Sequence, residues 1–293
     1  MGTQLVQAVV DGVLTGGVYA LMAAGLTLIF GVLDIINIAQ GIFVVLGAYL
    51  SYVLWSDLGI DPFLGLLITI PTLFFVGVGV EWAFIRRLGE RDRVTMSILV
   101  TYAVSLILEG ILDNAFGTNV FQLRPSYESS SFFVFGFYLQ QIYVYGFVLA
   151  VVLLAAIYAL LYRSRFGASV RASLQDRTAA QLIGVNVRRV STITFGIGTA
   201  VTAAGGMVFG VTNAFSANSG ADLISRLLSI VILGGLGSIG GAMGAAVLML
   251  VLEDIVATVW SPVWSPVVYF AALLIVLSIR PVGLFGRTAA RAQ

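Results

Sequence analysis

The chain is 293 residues long, 59% hydrophobic and 10% charged, with a formal net charge of +1. Soluble domains carry about 25% charged residues, so most of this surface cannot face water and must meet lipid. The small net charge argues against a nucleic-acid partner, which needs a concentrated basic face. All fifteen cationic residues are Arg; Lys, His and Cys are absent. There is thus no Walker A lysine or Schiff base, no imidazole or thiolate metal site and no His-based acid–base chemistry. With no Cys there is no disulfide, which leaves the compartment open.

Residues 1–30 contain no Arg, so they lack the positive n-region of a signal peptide and read as a retained helix. A bilayer crossing needs about 20 apolar residues. On that criterion the chain is expected to span at 7–30, 36–55, 62–85, 95–115, 141–162, 190–212, 226–258 and 263–280. Arg86, Arg87, Arg91 and Arg93 share one loop, and Arg163, Arg165, Arg171, Arg177, Arg188 and Arg189 another. Arg280, Arg287 and Arg291 mark the C-terminus. The positive-inside rule makes these the cytoplasmic segments. The loops 55–61, 116–140, 213–225 and 258–265 carry only Arg124 and Arg226 at or beside them and are expected outside, with the N-terminus.

This topology requires segment 226–258 to enter and leave on one side, yet two full crossings need about 40 residues. The run Gly234-Gly235-Leu236-Gly237-Ser238-Ile239-Gly240-Gly241 offers a break, so a short re-entrant half-helix followed by a full helix is expected. A similar interruption lies at 31–37. Non-helical backbone at membrane depth is tolerated only against protein or a watery cavity, and paired interruptions point toward a translocation route. Gly12/Gly16, Gly206/Gly210 and Gly240/Gly244 fit simple close packing of helices. The run 234–241 is denser than packing requires.

Connections between bundle helices are typically 2–8 residues, and 163–189 is far longer. Its core, ASVRASLQDRTAAQLIG (168–184), places Val170, Leu174, Ala179, Leu182 and Ile183 at near-helical spacing, with Gly184 as a stop. It reads as a short amphipathic helix on the cytoplasmic face. Floating at the headgroups is the plain alternative, but Ala172, Ala179 and Ala180 make a poor lipid anchor and suit docking into another protein's groove.

RASLQDRTAAQLIGVNVRRVSTITFGIGTAVTAAGGMVFG (171–210) resembles the coupling-loop region of the LivH-type branched-chain amino acid ABC permeases. GGVYALMAAGLTLIFGVLDIINIAQG (16–41), VILGGLGSIGGAMGA (231–245) and RPVGLFG (280–286) are similar to that family's other signatures, in its order. One departure falls at the first hairpin, where the family typically has a His and an acidic residue: Gln40 and Ile42 stand there. The spans, charges and interruptions together predict an all-α membrane domain over 1–293, with about eight crossings, at least one re-entrant helix and a short cytoplasmic helix, to which the resemblance assigns a coupling role. The resemblance also implies a second, longer permease subunit, two cytoplasmic ATPases that hold the ATP and Mg²⁺, and an external solute-binding protein. The solutes implied are leucine, isoleucine and valine, or urea and short amides in sister systems. Residues expected to couple to the ATPases are Arg171, Ala172, Asp176, Ala179, Ala180, Gly184 and Asn186. Those expected along the solute route are Tyr19, Thr27, Asn37, Gln40, Gly41, Gly235, Gly237 and Ser238.

The remaining charges are read by position. Glu81 is expected to pair locally with Arg86. Glu109 and Asp113 share a face as vestibule or interface residues, and Glu253-Asp254 anchor the outer end of their helix or line a vestibule. Trp55, Trp82, Trp260 and Trp264 fall near span ends, as interfacial belts require. Rival readings are an ion-coupled secondary transporter, which would be expected to carry a deep ionisable relay, a membrane-embedded enzyme, and an ABC permease for sugars or nucleosides.

Overall fold

Backbone amides in hydrocarbon must be satisfied within their own segment, and the apolar runs accordingly fold as helices. A computed structural model describes residues 2–89, 92–128, 130–134, 136–280 and 283–285. The helices are α1 (Gly2–Leu33), α2 (Gln40–Ser56), α3 (Pro62–Ala83), α4 (Arg93–Phe116), α5 (Gln141–Arg163), α6 (Arg165–Gln175), α7 (Arg177–Leu182), α8 (Val187–Thr212), α9 (Ser219–Gly234), α10 (Ile239–Val259) and α11 (Ser265–Ile279). Among the described residues, 7 stretches are long and apolar enough to cross a membrane, so the chain is a polytopic, all-α membrane bundle. Arg91, Arg287 and Arg291, assigned above to positive loops, lie outside the described residues, as do positions 281, 282 and 286 of the C-terminal signature.

The long helices α1 and α8 form the buried centre, while α3, α4, α5 and α11 expose apolar side chains such as Leu67, Leu106, Val152 and Leu274. Packing follows an inverted correspondence. α1 lies against α10 as α8 lies against α3, and α2 touches α3 and α4 as α9 touches α10 and α11. α2 also meets α9, and α1 meets α8. The run α1–α4 thus matches α8–α11 with reversed direction, the relation of inverted-topology repeats, with α5–α7 inserted between them.

One end of the bundle gathers the arginines. The carbonyl of Val32 accepts from Arg177 Nη2 at 3.0 Å and that of Leu33 from Arg93 Nε at 3.2 Å. Gly31, just before them, lies against Leu174 and Gly237. The turn 235–238 therefore sits at this end, beside α6. The break falls where the glycines suggested, between α9 and α10, but at the end of the bundle and not at mid-depth. The expected short helix followed by a full one is α9 followed by α10, but α9 starts earlier than expected, at Ser219 inside the outer loop 213–225, and the stretch before it carries the chain inward. Two helices of reduced length, α2 with 17 residues and α9 with 16, begin against one another, Gly41 on Gly220.

At the opposite end, the expected loop 117–140 contains a hairpin, Ser131–Val134 paired antiparallel with Phe137–Gln140. Gly136, at φ +88°, serves its turn. Phe121 and Phe215 exchange backbone hydrogen bonds at 2.8 Å, tying this loop to the approach to α9. Tyr49, Phe116, Phe121 and Phe215 close the region with ring contacts of 4.5–5.9 Å.

Candidate functional site

Three places concentrate polar chemistry, and the first is the interruption after α1. Asp34 takes φ +53°, ending the helix, and the amides of Ile36 and Ile38 donate to Ser97 Oγ and Thr101 Oγ1 of α4 at 3.2 and 3.1 Å. Freed backbone groups are thereby satisfied by side chains of a neighbouring helix. Asn37 Nδ2 donates to Gln40 Oε1 at 3.0 Å, and Gln40 Nε2 donates to the Gly198 carbonyl at 3.1 Å. Thr27 bonds back to Ala23. Thr27, Asn37, Gln40 and Gly41 are all buried. The structure joins Asn37 and Gln40, with Gly41 next in the chain, as a brace in the core and not along an open surface, while Thr27 bonds within α1.

The second place is a cavity of about 130 Å³ between α1, α5, α8, α9 and α10, room for roughly four waters at about 30 Å³ each. Its walls include Thr15, Tyr19, Tyr143, Asn213, Arg226, Glu253 and Asp254. It adjoins a wider cleft of about 720 Å³ that shares Thr15, Tyr143 and Asp254 with it and also includes Asp11 and Tyr138. Arg226 Nη1 meets Glu253 Oε1 at 2.9 Å, and Tyr269 Oη donates to Glu253 Oε2 at 2.7 Å. The Arg226 guanidinium stands 5.2 Å from the Tyr269 ring centroid. Of the expected route residues, Tyr19 reaches this cavity. Of the two expectations for Glu253-Asp254, lining a cavity holds and anchoring a helix end does not: Glu253 is half of an ion pair joining α9 to α10. Its partner is hidden in the sequence because Arg226 stands beside the expected outer loop 213–225. The signal was present: Leu223, Leu227 and Ile230 surround it at helical spacing.

Glu81 lies within the field of Arg86, as expected, and also reaches across the bundle. Its carboxylate accepts from Thr192 Oγ1 at 2.6 Å, linking α3 to α8.

The third place is the segment at the arginine-rich end. It is two helices, because Asp176 leaves helical backbone geometry and caps α7, accepting from the amides of Thr178 and Ala179 at 2.8 and 3.0 Å. Gly184, at φ +89°, closes α7, and Asn186 Oδ1 caps α8 through the amide of Arg189 at 3.0 Å. Arg171 donates to the Leu161 carbonyl and covers the Tyr162 ring. Val170, Ser173 and Ala180 are buried against the bundle, whereas Ala179, Leu182 and Ile183 are exposed, the last two at 84% and 77%. Ala180 therefore packs on its own chain, and the outward apolar knob is Leu182-Ile183. Asp176→Ala should lower stability by about 1 kcal/mol through the lost cap, with Asp176→Asn close to neutral; chemical unfolding in detergent reads the difference. The remaining expected route residues fall near this same end: Gly235 is buried, Gly237 is exposed at φ +81°, and Ser238 Oγ caps α10 by accepting from the Gly241 amide at 3.1 Å.

With this geometry in view, the comparisons are specific. The family model described as branched-chain amino acid transport system / permease component matches residues 8–277. The chain is 29% identical over 303 residues to the high-affinity branched-chain amino acid transport system permease protein LivH of Salmonella typhimurium, covering 96% of this chain and 95% of that one. It is 27% identical to LivH of Escherichia coli K12 over 301 residues and 28% identical to BraD of Pseudomonas aeruginosa over 302, with the same coverage. No solved structure matches.

Proposed function

The chain belongs to the permease-component family of branched-chain amino acid transport systems, and we propose that it is one membrane-spanning half of an ATP-driven importer for branched-chain and other hydrophobic amino acids. In this reading the whole chain, 1–293, is a single permease domain. It works beside a second, longer permease subunit, with two cytoplasmic ATPases and an external solute-binding protein, in a prokaryotic plasma membrane. The arginine-rich end is cytoplasmic and the N-terminus lies outside, as the positive-inside rule favours.

The observation that carries the proposal is the way α6 and α7 hang on the bundle. Arg177 holds the last turn of α1 through the Val32 carbonyl, and Leu174 packs on Gly31. Leu182 and Ile183 stand clear on the far side, apolar and accessible. A groove on an ATPase that grips this knob differently in its nucleotide states would move the end of α1, and with it the interruption that leads into α2. Only such a differential grip can shift the balance between inward and outward opening.

The test is uptake of labelled leucine by cells carrying the chain with its partner subunits, beside a variant with Leu182→Asp and Ile183→Asp. The variant should insert normally yet lose uptake and solute-stimulated ATP hydrolysis, each by at least tenfold. Normal stimulation would remove the coupling role. Uptake driven by a proton or sodium gradient with this chain alone would replace the ATP-driven reading. Uptake of urea, a short amide, a sugar or a nucleoside in place of leucine would reassign the solute.

A further inference from the structure

The half-helix α9 begins in the middle of the bundle. Gly220 in its first turn lies against Gly41 and Ile42 of α2, and Gln40 of α2 is hydrogen-bonded to Gly198. Gly198 stands eleven residues into α8, which runs Val187–Thr212, or about 16 Å from the arginine-rich end at 1.5 Å per residue. In a hydrocarbon layer about 30 Å thick, that is close to the midplane.

At this depth α9 shows one polar, open face. Asn218, Ala221, Asp222 and Ser225 recur at the spacing that puts residues on one side of a helix, and all four are exposed, while Leu223, Ile224 and Leu227 turn into the core. Helices that show apolar faces outward, such as α11 with Phe270 and Leu274, are suited to lipid. The α9 face is not, because a carboxylate at the centre of a bilayer is strongly disfavoured and marks a pathway or a polar partner. Asp222 has no hydrogen bond or ion pair among the described residues. Arg226, one turn along, is already engaged by Glu253.

We propose that this face of α9 lines the solute route at the seam with the second permease subunit, and that the Asp222 carboxylate recognises the ammonium group of the passing amino acid. The proposal rests on the amino acid permease reading above. Solutes with a cationic amine would be drawn to the middle of the route, where the same acids lacking the amine would be repelled. A single carboxylate without a second counter-charge is a weak trap, which suits a route that must also release what it binds.

The chain has no Cys, so label on this chain, separated from its partners after reaction, reports a single introduced cysteine. In membranes carrying the complete transporter, Asn218→Cys, Asp222→Cys and Ser225→Cys should react with water-soluble methanethiosulfonates, and Phe270→Cys and Leu274→Cys should not. At positions 218 and 225 the ethylammonium reagent should react roughly tenfold faster than the ethylsulfonate, and adding Asp222→Asn should erase that preference. Three thiols as inert as those on α11 would overturn the placement. A charge preference indifferent to Asp222→Asn would overturn the role of the carboxylate. Asp222→Asn should also cut leucine uptake at least tenfold at unchanged membrane level, with Asp222→Glu restoring much of it; full uptake by Asp222→Asn would overturn recognition of the ammonium. Thiol reactivity does not depend on which solute is carried, so failure of the unsubstituted transporter to take up leucine would strike the functional reading while the thiol results still decide the placement.

Discussion

Glu253→Ala is expected to destabilise the folded chain by about 3 kcal/mol, the low end of the range for breaking a buried ion pair. The low end applies because the Arg226 side chain keeps 31% of its surface, exposed toward the cavity, while Glu253 keeps 10%. The loss does not measure the attraction of the pair. It arises because Arg226 would be left charged in a site where Glu253 and Tyr269 now surround it. Removing both charges should therefore be milder than removing one, and the Arg226→Ala, Glu253→Ala double variant is expected to recover part of the stability lost by Glu253→Ala. Tyr269→Phe, which deletes one hydrogen bond to a carboxylate at 2.7 Å, should cost roughly 1.5–3 kcal/mol. Equilibrium unfolding in mixed detergent micelles, run as a double-mutant cycle, gives the coupling. A double variant as unstable as the sum of the singles would show that the two residues act independently and that the pair does not hold α9 to α10.

That pair also shows where the sequence stops being legible. Some spans could be read to within two residues, since hydropathy and length are local properties: 141–162 is Gln141–Arg163 and 95–115 is Arg93–Phe116, whereas 226–258 is two helices, the first starting at Ser219. The arginine loops correctly gathered one end of the bundle, because charge exclusion from hydrocarbon is equally local. Depth was not legible. The glycine run at 234–241 and the interruption at 31–37 look alike as strings, yet one is a turn at the bundle end and the other leads into a helix that starts at its centre. What separates them is the contact each makes with distant segments, Gly237 with Gly31 and Gly41 with Gly220. The segment 168–184 carried the right amphipathic period, but the period could not reveal that Asp176 would cap a second helix or that Ala180 would turn inward. A small residue serves equally well in a foreign groove and in a tight contact with its own chain.

Glycine substitutions separate these cases with opposite signs. A Cβ at Gly41 would press into the carbonyl oxygen of Gly220 and crowd Ile224, and one at Gly206 would press into the Val44 carbonyl. These obstacles are backbone, not the yielding ends of side chains, so Gly41→Ala and Gly206→Ala are each expected to cost about 1–3 kcal/mol by overpacking. Gly79 and Gly110, in α3 and α4, have nothing within 4 Å of the same position. There the helix propensity of Ala is unopposed, and Gly79→Ala and Gly110→Ala should leave stability unchanged or raise it by up to about 1 kcal/mol. Unfolding midpoints in one detergent compare all four. If Gly41→Ala were as harmless as Gly79→Ala, α2 and α9 would not meet as closely as described, and the central start of α9 would lose its main support. If it is costly, uptake becomes the sharper measurement, because forcing the two helix starts apart moves both the interruption after α1 and the open face that carries Asp222. A variant that still inserts but has lost transport would then place the functional hinge at Gly41 and Gly220, at the meeting point of the two inverted halves.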